Sequence, residues 1–184
     1  LVNKQSQELL DKLKGTGVPL KEYVEDKIFW GIKTGLNKAF VIDAETREKL
    51  SVEEPLCAEI IKPFLAGKDV KRYAPLKTDK YLIYIPWHFP MHEDNSISGA
   101  SKKAENEFKR CYLVLFNYLL QFKDDLLKRN SAETGTRYEW YALQRYGALY
   151  YKEFSKTKIV YPEICKQPEF TLDAEKIYPN NKCF

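Results

Sequence analysis

The chain has 184 residues, of which 44% are hydrophobic, 14% aromatic and 30% charged. This length suits one globular domain, or one domain with a small appendage, and 13 Tyr with 10 Phe is too much rigid apolar surface for a disordered chain. Lys and Arg number 30 against 26 Asp and Glu, so the net charge of +4 permits nucleic acid as a partner without requiring it.

Composition also argues against a membrane or secreted protein. The apolar runs are far shorter than the roughly 20 residues that cross a bilayer, and no signal sequence opens the chain. The 4 cysteines lie at positions 57, 111, 165 and 183 without a Cys-x-x-Cys pairing, which favours free thiols in a reducing cytoplasm. The first residue is Leu1 rather than Met, which predicts a piece of a longer protein.

Helical and strand patterns alternate through the first part of the chain. Ser6 is a candidate cap for a helix over residues 6–14 that ends at Gly15. Residues 27–32 and 39–43 are rich in β-branched and aromatic side chains and flank a Gly/Asn turn, which predicts a β-hairpin.

A second helix is predicted from a capping box. Ser51 and Glu54 have the Ser-x-x-Glu spacing, and the helix that they open is expected to end before Gly67, with its last turn disturbed by Pro63. A basic stretch follows, and residues 81–85 then predict a strand.

The second half predicts one long helix and several short strands. Apolar residues recur with helical spacing over residues 104–129, and a short helix is expected at 137–145. The other predicted elements are a loop at 87–101, a polar break at 131–135, strands at 158–164 and 170–172, and a strand-turn beginning at 177–184. Helices and strands mix without a β-α-β rhythm, so we expect an α+β fold with a mixed sheet or hairpins and several helices.

No catalytic centre is visible in the sequence. Residues 15–17 follow a helix rather than a strand, and residues 31–35 lack the Gly-Lys-Ser/Thr ending of a phosphate loop. Short acidic-x-Lys patterns, which hold Mg²⁺ in some nucleases, occur three times, as chance predicts at this charge content. His88 and His92 have i,i+4 spacing, but Pro90 opposes the helix that would bring both onto one metal. We therefore expect no catalytic residue, metal or cofactor site in this chain.

Four segments, in order, resemble one family. Residues 31–43 look like Gly-Ile-x-Thr-Gly-x-Asn-x-Ala-Phe, and residues 60–73 are similar to Ile-x-Lys-Pro-x-Leu-x-Gly-x-Asp-Ile-x-x-Tyr. Residues 140–145 resemble a Trp-x-x-Leu-Arg element, and residues 156–164 resemble a Lys-x-Lys-Ile-x-x-x-x-Ile strand. Together they make the chain similar to TaqI-like C-terminal specificity domains, the target recognition domains of bacterial N6-adenine DNA methyltransferases and type IIG restriction-modification enzymes.

The resemblance implies a DNA methylase specificity-domain fold that recognises double-stranded DNA for a separate catalytic domain. That methyltransferase domain of the same parent chain, with its S-adenosylmethionine and Asn-Pro-Pro-Tyr motif, would lie upstream, and the family's recognition domain normally continues beyond residue 184. We therefore expect residues 1–184 to be a non-catalytic, monomeric recognition fragment, truncated at its C-terminal edge, from a bacterial cytoplasmic protein. The parent would be an adenine-specific methyltransferase of a phage-defence system, with or without its own endonuclease.

Nine side chains are candidates for the DNA contacts of such a module. Lys and Arg would bind phosphates, and a few polar groups would read base edges, with Arg able to bind guanine in bidentate fashion. The candidates lie at the predicted hairpin tip, in the basic stretch and in a basic-aromatic segment: Lys33, Asn37 and Lys38; Lys68, Lys71 and Arg72; Arg137, Tyr138 and Arg145.

Simpler interpretations of the same residues stay open. Gly35 and Asn37 both tolerate φ > 0 and suit a turn, and the basic stretch can be a solvated loop. Trp140 and Tyr141 can be core residues of a short helix, with the arginines on its solvated face. The alternative function is a non-catalytic protein-interaction or scaffolding module of a phage-defence complex. A nuclease is a further alternative, which would require Mg²⁺-dependent cleavage.

Overall fold

The computed structural model describes residues 3–184, and Leu1 and Val2 lie outside this range. Its helices are α1 Lys4–Thr16, α2 Leu20–Tyr23, α3 Asn37–Phe40, α4 Ala44–Glu53, α5 Cys57–Ile60, α6 Lys102–Cys111, α7 Leu113–Leu120 and α8 Lys123–Lys128. Its strands are β1 Val41–Ile42, β2 Ile61–Leu65, β3 Tyr81–Ile83, β4 Lys158–Val160, β5 Thr171–Asp173 and β6 Tyr178–Pro179. Short 3₁₀ helices occupy Gly67–Asp69 and Tyr151–Ser155. This mixture confirms the predicted α+β class.

The strands form two sheets. The larger has the order β1-β3-β2-β6, with β1 and β2 antiparallel to β3 and with β6 parallel to β2. The smaller is the antiparallel pair β4-β5. The sheet is therefore mixed, as predicted.

Hydrogen bonds outside the named strands close the larger sheet into a ring. Beside β6, the Ile32 N–H donates to the Pro179 carbonyl at 2.8 Å. Lys33 and Arg145 then exchange two backbone hydrogen bonds of 3.0 and 2.9 Å, and the Leu143 N–H donates to Ile85, just beyond β3, at 2.9 Å. The ring brings segments that are distant in sequence around one core.

Aromatic side chains fill much of that core. Phe108 of α6 stacks on Tyr141 with ring centroids 4.5 Å apart, and Trp87 stacks on Tyr138 at 4.9 Å. Phe108, Tyr138 and Tyr141 are each 0% exposed. Burying a side chain of this size contributes about 1.5–3 kcal/mol to folding. The three buried aromatic side chains therefore hold the helices against the closed sheet.

The predicted β-hairpin of residues 27–43 is wrong. The Thr34 hydroxyl donates to Asn37 Oδ1 at 2.6 Å, and the chain then enters the single helical turn α3 rather than reversing direction. β1 pairs with β3, while Ile32 bridges to Asn180. The partner of β1 and the partner of Ile32 are both distant in the sequence. A local turn pattern carries no information about such distant partners.

The predicted capping box is also wrong. Ser51 lies inside α4, which Asp43 caps by accepting a hydrogen bond from the Thr46 N–H at 2.8 Å. Pro63, expected in a helix, lies in β2. Pairing of β2 with β6 begins after Pro63, at Phe64, so the missing N–H is tolerated there.

The first helix is confirmed, with different ends. α1 covers the predicted residues 6–14, but its cap is Asn3, whose side chain accepts from the Ser6 N–H at 2.7 Å. It ends at Thr16, beyond the predicted stop at Gly15.

The long helix predicted for residues 104–129 is three helices, α6, α7 and α8. The helix is interrupted between α6 and α7 at Tyr112, which has the non-helical angles φ −135° and ψ 56°. In the first turn of α7, the Leu115 N–H donates to the Glu54 carboxylate at 3.4 Å. The short helix predicted at 137–145 is wrong, because this segment is irregular and turns through the core.

The remaining predictions from pattern are confirmed. β3, β4, β5 and β6 lie in or overlap the strands predicted at 81–85, 158–164, 170–172 and 177–184, and residues 87–101 contain no helix or strand. Within residues 3–184, no helix is both long and apolar enough to span a membrane.

Candidate nucleic-acid interface

Lys68 lines two neighbouring hollows on the surface of the described residues. It is exposed and lies on the 3₁₀ helix that follows β2. That helix is held against the chain terminus, because the Gly67 N–H donates to Asn180 Oδ1 at 3.2 Å. A Cβ built on Gly67 would lie 2.7 Å from the Lys182 carbonyl oxygen, so the close approach requires glycine.

An open groove of about 570 Å³ lies on one side of Lys68. Its walls come from α3, from the end of β2 and from the turn before β3. Its polar lining residues are Asn37, Lys38, Asp43, Lys68, Asp79, Lys80 and Asn180. We refer to it as the Asn180 groove.

A second open hollow of about 670 Å³ adjoins the first, because both are lined by Lys68, Asp79 and Lys80. It adds Lys71 and Lys77 to the surface. The turn is fixed by Thr78, whose hydroxyl donates to the Phe64 carbonyl and accepts from the Lys80 N–H at 3.1 Å. The two hollows therefore form one continuous surface.

Four lysines of this surface are free to bind an anion. Within residues 3–184, no ion pair involves Lys68, Lys71, Lys77 or Lys80, which we call the lysine surface. All four are exposed, and Asp69 and Asp79 are the carboxylates that line the same hollow. Four cations against two carboxylates leave the surface positive.

Asn37 and Lys38 border the lysine surface on α3. Both are exposed, but each already has a partner. Asn37 accepts from Thr34, and Lys38 donates to Asp125, which holds the pKa of that carboxyl below its usual range. DNA contact by Lys38 would therefore compete with an existing ion pair.

Lys33 and Arg145 form a second basic pair. Their reciprocal backbone hydrogen bonds place them side by side on the ring of strands, with Arg145 exposed and Lys33 half-buried. Neither takes part in an ion pair within the described range. The structure thus brings together two candidates from different segments.

The other two candidate arginines, Arg72 and Arg137, contact side chains near them in the sequence or in the fold. The Arg137 guanidinium pairs with Glu133 at 3.1 Å and lies 5.2 Å from the Trp87 ring. Arg72 lies 5.0 Å from the ring of Tyr73, which is 79% exposed and has φ 53°. Arg72 thus continues the basic stretch beside Lys71, whereas Arg137 is engaged elsewhere.

Tyr138 is not available to DNA, and its prediction as a contact is wrong. The side chain is 0% exposed, and its hydroxyl accepts from Thr134 Oγ1 at 3.1 Å. Its ring stacks on Trp87. The alternative interpretation of Trp140 and Tyr141 as core residues is confirmed by their burial, and Tyr138 is buried with them.

Sequence reasoning missed three residues of the surface: Lys77, Lys80 and Asn180. The two lysines belong to the basic stretch and carried a visible signal. Asn180 carried none, because only the pairing of β6 with β2 brings it beside Lys68.

The histidines take part in separate contacts. Glu139, 3% exposed, accepts from the backbone N–H groups of His88 and Ser101 at 2.7 and 2.8 Å and lies 3.0 Å from His88 Nδ1. His92 instead stacks on Phe89, and burial lowers its pKa. No group of three His, Cys, Asp or Glu in residues 3–184 is arranged to hold a metal.

Comparison with known proteins relates the chain to a type II methyltransferase. It is 28% identical over 156 residues to the type II methyltransferase M.MjaIV of Methanocaldococcus jannaschii, covering 84% of this chain and 46% of that protein. The chain therefore spans less than half the length of this relative. No family model matches.

A solved structure of the Type IIL restriction-modification enzyme MmeI in complex with DNA is also similar. The superposition has a TM-score of 0.46 and 14% sequence identity, and it covers 84% of this chain and 18% of the MmeI chain.

Proposed function

We propose that this chain is a TaqI-like target recognition module that binds double-stranded DNA for a methyltransferase domain of the same parent chain. The lysine surface carries the proposal, because it offers four exposed cations without protein partners on one continuous face. The similarity to a type II methyltransferase and the four ordered segments support it.

The lysine surface suits a DNA backbone. Each lysine that neutralises a phosphate releases condensed counterions, so binding would weaken steeply with salt. Phosphate contacts of this kind set the register of the protein on the duplex without reading sequence. Arg145, beside Lys33, is a candidate for a base contact because a free guanidinium can bind guanine O6 and N7 together.

In the parent, the chain would hold DNA while the target adenine is flipped into the methyltransferase domain. S-adenosylmethionine would be bound by that domain. Gly15 and Gly17 do not suit this cofactor, because they lie at the end of the exposed helix α1 and do not follow a strand. We propose a monomeric, cytoplasmic parent of the restriction-modification class with adenine-N6 specificity.

A salt titration tests the proposal. Binding of the full-length protein to a random-sequence 30-base-pair duplex is measured by fluorescence anisotropy between 50 and 200 mM salt. The double variant Lys68→Ala/Lys80→Ala should weaken binding. It should also make the negative slope of log K against log salt shallower by about 2, because two phosphate contacts are lost. The control, Lys12→Ala/Lys14→Ala on α1, makes the same charge change and should leave the slope unaltered. Absence of DNA binding by the full-length protein, or equal slopes for both variants, contradicts the proposal.

The scaffolding alternative is favoured by a different observation. α1 has no buried residue, and Leu9, Leu10 and Leu13 are 58, 41 and 59% exposed along it. A helix with unburied leucines suits contact with another protein surface. Under this alternative, association would be insensitive to salt and would be lost in a Leu9→Asp/Leu13→Asp variant, while DNA binding would be absent from the wild type.

A further inference from the structure

Asn180 presents a side-chain amide whose orientation is fixed by three donors. Its Oδ1 accepts from the backbone N–H groups of Gly67 and Lys182 at 3.2 and 3.1 Å, and from Cys183 Sγ at 3.7 Å. Burial raises the pKa of the Cys183 thiol to about 12, so the thiol is protonated and is a donor. An N–H group can donate only to the amide oxygen, so the Nδ2 group must point away from these three partners.

The backbone of Asn180 is equally constrained. Its N–H donates to the Leu65 carbonyl at 2.8 Å, and its own carbonyl accepts from Cys183 at 2.9 Å. The backbone of Gly31 packs so closely that an added Cβ would lie 2.0 Å from the Asn180 carbonyl oxygen. Asn180 is therefore a preorganised donor that loses little freedom when a ligand binds.

The Nδ2 group is free and faces an accessible space. Within the described range it makes no hydrogen bond, and it is not among the buried polar atoms that lack a partner. Asn180 lines the Asn180 groove, whose walls carry Lys38, Lys68 and Lys80. A neutral donor thus lies among cations that suit phosphates.

We infer that Asn180 is a specificity-determining residue that donates from Nδ2 to an acceptor on the major-groove edge of a base. This inference deepens the proposed DNA-binding function and rests on it. Guanine, adenine and thymine each present an acceptor in the major groove, whereas cytosine presents only its N4 donor. Asn180 therefore discriminates against cytosine at the contacted position.

A base edge suits this group better than a phosphate does. Phosphates are bound most strongly by charged donors, which Lys68 and Lys80 supply in the same groove. A neutral amide held in one orientation distinguishes an acceptor from a donor and adds little non-specific affinity.

The variant Asn180→Asp isolates the outward-facing group. One carboxylate oxygen keeps the three hydrogen bonds from Gly67, Lys182 and Cys183, and the other replaces the Nδ2 donor by an acceptor. Asn181→Asp is the matched control, because it makes the same charge change at an exposed neighbour that does not line the groove. Thermal melting of all three proteins checks that the fold is retained.

Selection from a randomised duplex pool, followed by sequencing, measures the preference. Wild type and Asn181→Asp should enrich one motif that excludes cytosine at one position. Asn180→Asp should change the base preference at that position alone, in favour of cytosine. The ratio of affinities for cytosine and for the wild-type base should change about fivefold to tenfold, the scale of one hydrogen bond. Should Asn180→Asp fail to fold, the wild-type protein still tests the inference. At this position, single replacements of adenine by 7-deazaadenine, of guanine by 7-deazaguanine or by 6-thioguanine, or of thymine by 4-thiothymine should include one that reduces binding.

The outcomes distinguish a failure of the role of Asn180 from a failure of the proposed DNA-binding function. An unchanged motif in Asn180→Asp, or a uniform loss of affinity for all sequences, overturns the role of Asn180 while the DNA-binding function stands. Tolerance of every base analogue at the position that excludes cytosine overturns it as well. Failure of the wild type to enrich any duplex overturns the proposed function itself, and the inference with it.

Discussion

Arg129 donates a hydrogen bond from Nη1 to the backbone carbonyl oxygen of Thr34 at 2.7 Å. Its Nη2 donates to the carbonyls of Trp140, at 2.9 Å, and of Ala142. Burial lowers the pKa of the guanidinium to about 10, and no carboxylate in residues 3–184 pairs with it. One cation thus joins two segments of the ring, using their carbonyl oxygens in place of a counter-ion.

We expect Arg129→Met to destabilise the fold by about 2–4 kcal/mol, because it leaves several partly buried carbonyls without donors. Arg137→Met is the control, since Arg137 makes one exposed ion pair and should change the free energy of unfolding by less than about 1 kcal/mol. Urea denaturation followed by tryptophan fluorescence measures both. Equal midpoints for the two variants would show that Arg129 does not hold the ring together.

Gly31 provides a second test of the ring. A Cβ at this position would lie 2.0 Å from the Asn180 carbonyl oxygen, a backbone atom that cannot move aside alone, whereas a Cβ at Gly15 meets nothing within 4 Å. Gly31→Ala should therefore lower stability by about 1–3 kcal/mol through overpacking.

Gly15→Ala is the matched substitution in the opposite sense. Since Gly15 lies within α1, alanine should stabilise this helix by the difference in intrinsic helix propensity, about 1 kcal/mol, and so raise the helical content. Thermal melting and far-ultraviolet circular dichroism distinguish the two. A Gly31→Ala protein as stable as the wild type would mean that the segment at 32–34 is not tightly paired with β6.

These contacts explain which parts of the fold were predictable. β3 was predicted because its apolar residues form one local run, and α1 because its leucines repeat with helical spacing. The partners of Ile32 were not predictable, since Pro179 and Asn180 lie at the other end of the chain. Long-range pairing leaves no periodic signal in either segment.

The same reason limits prediction of the site. The basic stretch after β2 showed in composition, and the structure places Lys68 and Lys71 on one exposed surface. Tyr138 looked like part of a basic-aromatic surface, but Trp87 covers it from a distant loop. Burial of an aromatic residue depends on what packs against it, which neighbouring residues in the sequence do not show.

Stability should fall at alkaline pH because of two buried thiols. Burial raises the pKa of both Cys57 and Cys183 from 9.0 to about 12. A raised pKa in the folded state stabilises the fold fully below pH 9, and this contribution is lost as pH rises towards 12, because the unfolded thiol ionises first. From pH 7 to 9.5, each thiol should reduce the free energy of unfolding by about 0.8 kcal/mol.

Urea denaturation at both pH values, compared with variants, tests this dependence. Cys57→Ala and Cys183→Ala should each show a smaller loss between pH 7 and 9.5, whatever their stability at pH 7. Cys165→Ala, at an exposed position, should behave like the wild type. A pH dependence that is the same in all four proteins would assign the effect to other groups.

The last prediction concerns Arg145, which differs from Arg137 in having no ion-pair partner in the described part of the chain. Its backbone is fixed by two hydrogen bonds to Lys33, so its guanidinium projects from a rigid position on the ring. If Arg145 reads guanine, Arg145→Ala should cost about 1–3 kcal/mol of binding to the selected duplex and relax preference at one base pair. If it binds a phosphate, affinity should instead fall for all sequences, and the salt slope should fall by about 1.

Arg137→Ala is the matched control for Arg145→Ala. Its guanidinium is held by Glu133 and lies against the Trp87 ring, so it should change DNA affinity by less than Arg145→Ala does. Selected-duplex binding at several salt concentrations compares the two variants. A larger effect of Arg137→Ala would move the contact surface to the loop around Trp87 and away from the Lys33–Arg145 pair.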